Sequence, residues 1–227
     1  AQTIASLNQA AQRPASVAGR TLMTTLFAGH PYAADPEGTR EDLTKITADL
    51  LKKRAAAVLL RNGVTIAAVG DITEAELARQ IDRTFGSLPV GTSPALPPQW
   101  EPPTKPRTVV VERPVPQSAM LMALPGIARD DPDWYAALVM NHVLGGGGQQ
   151  SRLFNEVREK RGLAYSVSSG LRTYKRAALL VVQTGSANER VAEAIRVIKA
   201  EMVRLRNDGV TEQELTDAKT YLSGALA

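Results

Sequence analysis

The chain has 227 residues, of which 44% are hydrophobic, with a formal net charge of +4 and no cysteine. This composition supports a buried core, and the length favours two domains of about 100 residues each. Disulfide bonds are excluded, no apolar run approaches the ~20 residues of a membrane span, and the interleaved acids and bases argue against a nucleic-acid-binding surface.

The first part of the chain has the patterns of amphipathic helices and one strand. In chain order they predict a helix ended by Pro14, a helix capped by Ser16 and running to Phe27, a helix capped by Thr47, a strand over Val64–Val69 and a helix opened by Thr73 and Glu76. The Thr73 and Glu76 pair has the spacing of a capping box.

Residues 91–106 read GTSPALPPQWEPPTKP and contain six of the 14 prolines. A stretch this rich in proline predicts a semi-rigid, extended linker. We place the linker at residues 93–105, which leaves a first domain over 1–92 and a second over 106–227.

The second part mixes strands and helices without strict alternation. The patterns predict strands over Arg107–Glu112 and Ser118–Leu124, a helix over Asp133–Leu144, an antiparallel strand pair over Tyr165–Leu171 and Ala177–Thr184, a helix from Val191 to Leu205 and a last helix opened by Thr211 and Glu214. This mixture favours an α+β fold, in which helices pack on one face of an antiparallel sheet.

Four consecutive glycines stand between the predicted helix at 133–144 and a charged helical pattern at 151–160. Glycine permits unusual backbone dihedrals and close approach of a second backbone. We therefore predict that the run lines a cavity and offers its backbone to an extended peptide; a flexible turn between helices is the alternative. The residues concerned are Gly145, Gly146, Gly147 and Gly148.

The segment Leu144–Val167, LGGGGQQSRLFNEVREKRGLAYSV, resembles the C-terminal half of the pitrilysin or insulinase-type zinc metallopeptidases. That family includes the mitochondrial processing peptidases and bacterial zinc-protease-like proteins. Blocks that resemble the later part of the family's first domain precede it: His30-Pro31-Tyr32, Gly38-Thr39, Ile46–Leu50 and Val69-Gly70-Asp71. The resemblance implies two similar α+β domains, each an antiparallel sheet with helices on one face, and a chain that is incomplete at both ends.

The family's zinc motif, H-x-x-E-H, does not occur in this chain. In that motif two histidines hold the metal and the glutamate activates water. The two histidines here, His30 and His142, are followed by Pro-Tyr-Ala and Val-Leu-Gly, and we expect both to be structural. The prediction is therefore no cofactor in this chain, with zinc supplied by a missing segment or by a partner subunit.

Arg158 and Tyr165 match in spacing and flanking sequence an arginine and a tyrosine of the family's second domain. The resemblance implies that they reach a central cavity and hold a substrate backbone carbonyl, since a guanidinium and a phenol can both donate to a developing oxyanion. The alternative is that Arg158 pairs with Glu156 or Glu159 and that Tyr165 is an ordinary strand aromatic.

A weak internal similarity agrees with an incomplete chain. The first ten residues, AQTIASLNQA, match the last ten, AKTYLSGALA, at four positions. The hypothesis is that the chain starts and stops at the same helix of two repeated domains.

Two functions follow from these predictions. The first is the substrate-binding, non-zinc-binding portion of a pitrilysin-type metallopeptidase, which encloses peptides for proteolysis and is inactive alone. Its partners would be a peptide substrate and either a catalytic H-x-x-E-H-bearing subunit or a second copy of the chain. The alternative is a non-catalytic scaffold or assembly subunit of the same fold. Many bacterial relatives are exported, so the resemblance implies the periplasm, with the cytoplasm as the alternative.

Overall fold

The computed structural model describes residues 2–225, which form two compact units. One comprises residues 2–37 and 97–225, and we call it the sheet unit; the other comprises residues 38–96, and we call it the helical unit. These units divide the chain differently from the predicted domains 1–92 and 106–227. The linker predicted at residues 93–105 from its proline content stays a prediction.

Helices dominate the first part of the chain, before the sheet begins. In chain order they are α1 Gln2–Ala10, α2 Pro14–Leu26, α3 Arg40–Lys45, α4 Ala48–Val58 and α5 Glu74–Phe85. Short 3-10 turns occur at Pro31–Ala33 and Arg61–Gly63.

The second part contains the strands and the remaining helices. These are β1 Gln117–Pro125, α6 Trp134–Asn141, β2 Ser166–Tyr174, β3 Ala177–Ala187, α7 Val191–Asp208 and α8 Glu212–Gly224. Two π-helical segments, His142–Gly146 and Phe154–Glu159, lie between α6 and β2.

The three strands form one antiparallel sheet in the order β1-β3-β2. Met122 of β1 and Ser169 of β2 both pair with Val182, so β3 is central. The predicted strands at 118–124, 165–171 and 177–184 are confirmed to within a few residues. The α+β class is confirmed as well.

Successive side chains of β3 point to opposite faces of the sheet, and both faces are covered. Val182, which is fully buried, belongs to a core with the two π-helical segments and α7. Its apolar members include Leu144, Leu153, Val157 and Ile198.

The neighbouring residues Leu179 and Val181 face a second, aromatic core. Phe27 is completely buried at its centre, with its ring 5.0 Å from the Trp100 ring and 5.6 Å from the Tyr32 ring. The Trp100 indole N–H donates to the Leu26 carbonyl (3.3 Å), which joins the proline-rich stretch to the end of α2. The sequence predicted helices on one face of the sheet, whereas in the structure both faces are covered.

The caps of the helices follow their sequence signals in most places. Thr73 and Thr211 both form complete capping boxes, and Thr47 caps α4. The prediction that Ser16 caps the second helix is wrong: α2 begins two residues earlier, with Pro14 in its first turn. Proline suits that position because its missing N–H would have no partner inside the helix.

The strands predicted at Val64–Val69 and Arg107–Glu112 do not form within residues 2–225. Both segments have the composition of strands, but neither pairs with a neighbouring strand in the described part of the chain. Val69 is fully exposed and Val110 is 78% exposed. A β-strand depends on a paired neighbour for its hydrogen bonds, so β-type residues alone do not suffice.

The proposed repeat falls on α1 and α8. Ala1 and Ala227, two of the four matched positions, lie outside the described residues. The other matched residues lie in α1 or α8, which is consistent with a repeated helix. The repeat itself stays a prediction.

Candidate functional site

The first two glycines of the run are closely packed, Gly145 against strand β2 and Gly146 against the end of α6. A Cβ on Gly145 would stand 2.6 Å from the backbone nitrogen of Ser169, and a Cβ on Gly146 would stand 2.5 Å from the Asn141 side-chain nitrogen. These polar neighbours are themselves fixed, because the buried Ser169 hydroxyl donates to Asn141 Oδ1 (2.8 Å). Packing within the chain therefore already requires glycine at both positions.

The other two glycines close the π-helical turn. A Cβ on Gly147 would stand 2.8 Å from the His142 carbonyl oxygen, while Gly148 has φ +59°, a left-handed conformation. The local structure therefore explains why glycine occupies each of the four positions. Contact between the run and a peptide stays a prediction.

The charged segment that follows is anchored by apolar residues. Leu153 and Val157 are fully buried against the sheet, and the segment ends where Gly162 adopts φ +58° and donates to the Arg158 carbonyl (2.8 Å). The backbone over Phe154–Glu159 follows a π-helix, where the sequence pattern predicted an ordinary helix. Such segments are rare and frequently occur at functional sites.

The structure brings the two predicted site residues together. The Arg158 guanidinium carbon lies 5.5 Å from the centre of the Tyr165 ring and 4.9 Å from that of Phe154. Tyr165 is 78% exposed, and its backbone N–H donates to the Gly185 carbonyl (3.0 Å), which anchors it to β3. Cation–π contacts with two aromatic rings favour one position of the guanidinium.

The alternative partners of Arg158 are otherwise engaged. Glu156 accepts from Lys160 Nζ (2.5 Å) and Arg161 Nη1 (2.6 Å). These hydrogen bonds, first from Lys160 and then from Arg161, lower the pKa of the Glu156 carboxyl. Glu159 forms no ion pair among the described residues, so the alternative ion pair of Arg158 is absent from residues 2–225.

Arg152 holds the beginning of the segment to α8. Its Nε and Nη2 donate to the two carboxylate oxygens of Glu214, both at 2.6 Å, and Nη2 also donates to the Gly209 carbonyl (3.0 Å). Hydrogen bonding to Arg152 lowers the pKa of Glu214 to about 2. Among the residues that the structure describes, three of the four cations between residues 152 and 161 thus have carboxylate partners, and Arg158 has none.

His30 is engaged on both sides of its ring. Nδ1 accepts from the Tyr32 backbone N–H (3.2 Å), so Nε2 carries the proton and donates to the Pro98 carbonyl (2.9 Å). The prediction that His30 is structural is confirmed by these contacts.

His142 is buried and stacks on Tyr221, with ring centres 4.8 Å apart. Within residues 2–225, no three His, Cys, Asp or Glu side chains lie close enough to hold a metal ion. With His30 committed to two hydrogen bonds, the donor set described here does not fit a zinc site.

The chemistry available around Arg158 is hydrogen-bond donation. A guanidinium and a phenol can bind an electron-rich oxygen, but neither supplies the carboxylate or imidazole base that activates water in peptide hydrolysis. Sequence reasoning missed Phe154 as the second ring beneath Arg158. The four-residue spacing of Phe154 and Arg158 was the signal that could have revealed it.

None of the helices in the described part of the chain is both long and apolar enough to cross a bilayer.

Comparison with known proteins agrees with this geometry. A family model described as the peptidase M16 inactive domain matches residues 45–222. An uncharacterized zinc protease of Streptomyces coelicolor is 30% identical, with 88% of this chain and 45% of the relative covered. A non-peptidase homologue, YmxG of Helicobacter pylori, is 30% identical over 99% of this chain and 52% of its own length.

A solved structure gives the same result. The crystal structure of a peptidase M16 inactive domain from Pseudomonas fluorescens superposes with a TM-score of 0.91 at 32% identity, covering 98% of this chain and 54% of that one. This chain therefore spans about half the length of the relatives it matches. The predicted family is confirmed: the chain belongs to the peptidase M16 family and corresponds to its inactive domain.

Proposed function

We propose that this chain is the substrate-binding, non-zinc-binding portion of an M16-type peptidase. It encloses an unfolded peptide, and Arg158 and Tyr165 donate hydrogen bonds to a backbone carbonyl of that peptide. Bond cleavage belongs to an H-x-x-E-H motif in another segment or subunit, and no step of it is assigned to this chain.

One observation carries the proposal: Arg158 has no carboxylate partner within residues 2–225, while its three cationic neighbours do. A guanidinium that lies over the Phe154 ring and the exposed Tyr165 phenol suits an oxygen acceptor supplied by a ligand. We also propose that the Gly145–Gly148 backbone borders the peptide. The periplasm is the proposed compartment, on the family resemblance.

The binding step is tested by fluorescence anisotropy with a labelled, uncharged, unstructured peptide. Arg158→Ala is expected to weaken binding by about 10- to 100-fold, the effect of losing hydrogen bonds to a charged group. Tyr165→Phe removes one hydroxyl and should weaken binding by about 3- to 10-fold. Arg196→Ala, which removes a 73% exposed arginine on α7, is the matched control and should leave the affinity unchanged.

The catalytic role is tested by adding zinc and an H-x-x-E-H-bearing partner encoded nearby, with a fluorogenic peptide as substrate. Hydrolysis that needs both chains and falls with Arg158→Ala supports the proposal. Hydrolysis that is unaffected by Arg158→Ala contradicts it.

The second candidate is a non-catalytic scaffold or assembly subunit. What favours it is the Helicobacter pylori relative, which is named a non-peptidase homologue. A chain that binds no peptide, yet forms a stable complex with its partner, would support the scaffold.

A further inference from the structure

A second candidate site lies along helix α8, and Arg158 does not line it. It is a cleft of about 710 Å³, which we call the α8 cleft. This volume is within the range of about 300–1,000 Å³ that is typical of ligand sites. The lining includes two aromatic rings, one acidic side chain and three side-chain amides: His142, Tyr221, Asp217, Gln149, Gln150 and Asn155.

The tyrosine of the α8 cleft is supported from one side. Its ring stacks on that of His142, with the ring centres 4.8 Å apart and the ring planes 31° apart. His142 is only 8% exposed, whereas Tyr221 is 60% exposed. A buried ring therefore holds Tyr221 in place, while most of the tyrosine surface faces solvent. An exposed tyrosine ring is a surface on which a cation can stack.

The α8 cleft also has a carboxylate without a counterion. Its lining contains two carboxylates and neither lysine nor arginine. Glu214 is neutralised by Arg152. Asp217 Oδ1 accepts from the neutral Gln213 side chain (2.8 Å), and Asp217 forms no ion pair within residues 2–225. The cleft therefore favours a positively charged ligand.

The free carboxylate and the exposed ring lie side by side. Asp217 and Tyr221 are four residues apart on α8, a spacing that makes two side chains neighbours on one face of a helix. Ala218, which lies between them in sequence, is 1% exposed, so this part of the helix is packed against the protein interior. A single ligand group can thus contact both side chains.

A guanidinium group fits this pair better than an ammonium group does. It is planar, so it can stack on an aromatic ring while its N–H edge donates to a carboxylate. An ammonium is a compact, strongly hydrated charge and gains less from the ring. The amide oxygens of Gln149, Gln150 and Asn155 are further acceptors in the lining for the five N–H donors of a guanidinium.

We propose that the α8 cleft binds an arginine side chain of a polypeptide, with its guanidinium stacked on Tyr221 and paired with Asp217. The cleft is larger than a guanidinium alone, which leaves room for the chain that carries it. The α8 cleft and the Arg158–Tyr165 pair are independent sites, because the peptide proposed for the latter is tested in an uncharged form.

Amide-resolved NMR titration of the whole chain tests this with four probes. Methylguanidinium is the cation alone, N-methylurea is a neutral molecule of the same shape, methylammonium represents lysine, and N-acetylarginine N-methylamide represents arginine within a chain. Saturable shifts around Asp217 and Tyr221 are expected with both guanidinium probes, and the chain-like probe should bind at least as tightly as methylguanidinium. N-methylurea lacks the charge and methylammonium lacks the planar group, so each should bind at least about threefold more weakly than methylguanidinium.

Three variants locate the binding site. Asp217→Asn removes the charge and should weaken methylguanidinium binding about 2- to 5-fold, as for an exposed ion pair. Tyr221→Leu removes the ring and should weaken it about 2- to 5-fold, as for an exposed cation–π contact. Glu212→Gln removes a carboxylate from the first turn of the same helix, outside the lining, and is the matched control that should leave the affinity unchanged. All three are first checked for native circular dichroism.

Several results would overturn the proposal. Equal binding of N-methylurea or methylammonium and methylguanidinium would exclude a site for a guanidinium. Undiminished binding by Asp217→Asn, or an equal loss with Glu212→Gln, would show that Asp217 does not pair with the cation. Weaker binding of N-acetylarginine N-methylamide than of methylguanidinium would exclude an arginine within a polypeptide.

Discussion

The two units use similar sequence patterns to different effect. In the sheet unit, Leu179, Val181 and Val182 lie on a central strand and are buried from both sides of the sheet. In the helical unit, Val64 and Ile66 come from an equally β-rich run, yet they form no strand within the described residues and are 39% and 40% exposed.

The cores differ in the same way. Leu60 is the one buried hydrophobic residue within residues 38–96. Hydrogen bonds near the chain surface hold that unit instead, such as those of the Asn62 side chain with both the Gly91 carbonyl (2.8 Å) and the Gly91 N–H (3.1 Å). The stability of the protein should therefore reside mainly in the sheet unit.

The largest expected difference in stability between the two units comes from truncating a buried leucine of the sheet unit. Leu153 is fully buried and Leu51 is 58% exposed, so Leu153→Ala should lower the free energy of unfolding by about 3–5 kcal/mol and Leu51→Ala by less than about 0.5 kcal/mol. Urea unfolding followed by circular dichroism measures both. Equal losses would mean that the helical unit has a core as important as that of the sheet.

Replacing one glycine in each unit is expected to give the next largest difference in the free energy of unfolding. Gly145→Ala places a Cβ 2.6 Å from the Ser169 nitrogen and should lower the free energy of unfolding by about 1–3 kcal/mol. At Gly63 the nearest atom would be the Ser93 hydroxyl at 3.5 Å, so Gly63→Ala should change it by less than about 0.5 kcal/mol. A fully stable Gly145→Ala protein would show that the run is retained for a ligand rather than for packing.

The two capping-box glutamates should respond differently to acid. Glu214 has its pKa lowered to about 2, first by Arg152, whereas Glu76 has its pKa lowered by Thr73 at the surface. A carboxyl whose folded pKa is depressed stabilises the protein above its unfolded pKa, and this contribution is lost as pH falls through the folded value.

Glu214 should therefore supply about 1–2 kcal/mol at pH 6 that disappears between about pH 5 and pH 2, less than the full shift implies because solvent screens the partly exposed group. Urea unfolding across this range should show wild type and Glu214→Gln converging as the pH falls. Glu76→Gln should show a smaller pH dependence. A gap between wild type and Glu214→Gln that stays constant down to pH 2 would contradict the assignment.

The smallest effect comes from the capping threonines. Thr211→Ala removes the cap of α8 and should lower the global free energy of unfolding by about 1 kcal/mol. Thr73→Ala removes the same cap from α5 and should instead speed hydrogen exchange within that helix, with little change in global stability. Thr211→Ser, which keeps the hydroxyl, serves as the control.

Features that depend on neighbours in sequence were predictable. Thr73 and Thr211 accept from the backbone three residues ahead, so the capping signal is complete within four residues. Arg158 and Tyr165 were selected from the family resemblance; their contact with each other was not predicted, and their role in binding a substrate stays a prediction.

The strands show where such reasoning stops. The run at 107–112 has as strong a β composition as that at 177–184, but only the second has a partner on each side among the described residues. Likewise, nothing near Arg152 in sequence indicates that Glu214, 62 residues away, neutralises it.

The amino-acid sequence by itself therefore determined the helix starts capped by Thr47, Thr73 and Thr211, the glycine-bounded turns and the family, because these rest on contacts between near neighbours or on short motifs. Only the tertiary structure decided which apolar runs became strands, that the sheet is covered on both faces, and which cation between residues 152 and 161 has no carboxylate partner among the described residues. Those outcomes depend on pairing between distant segments, whose partners no local pattern specifies.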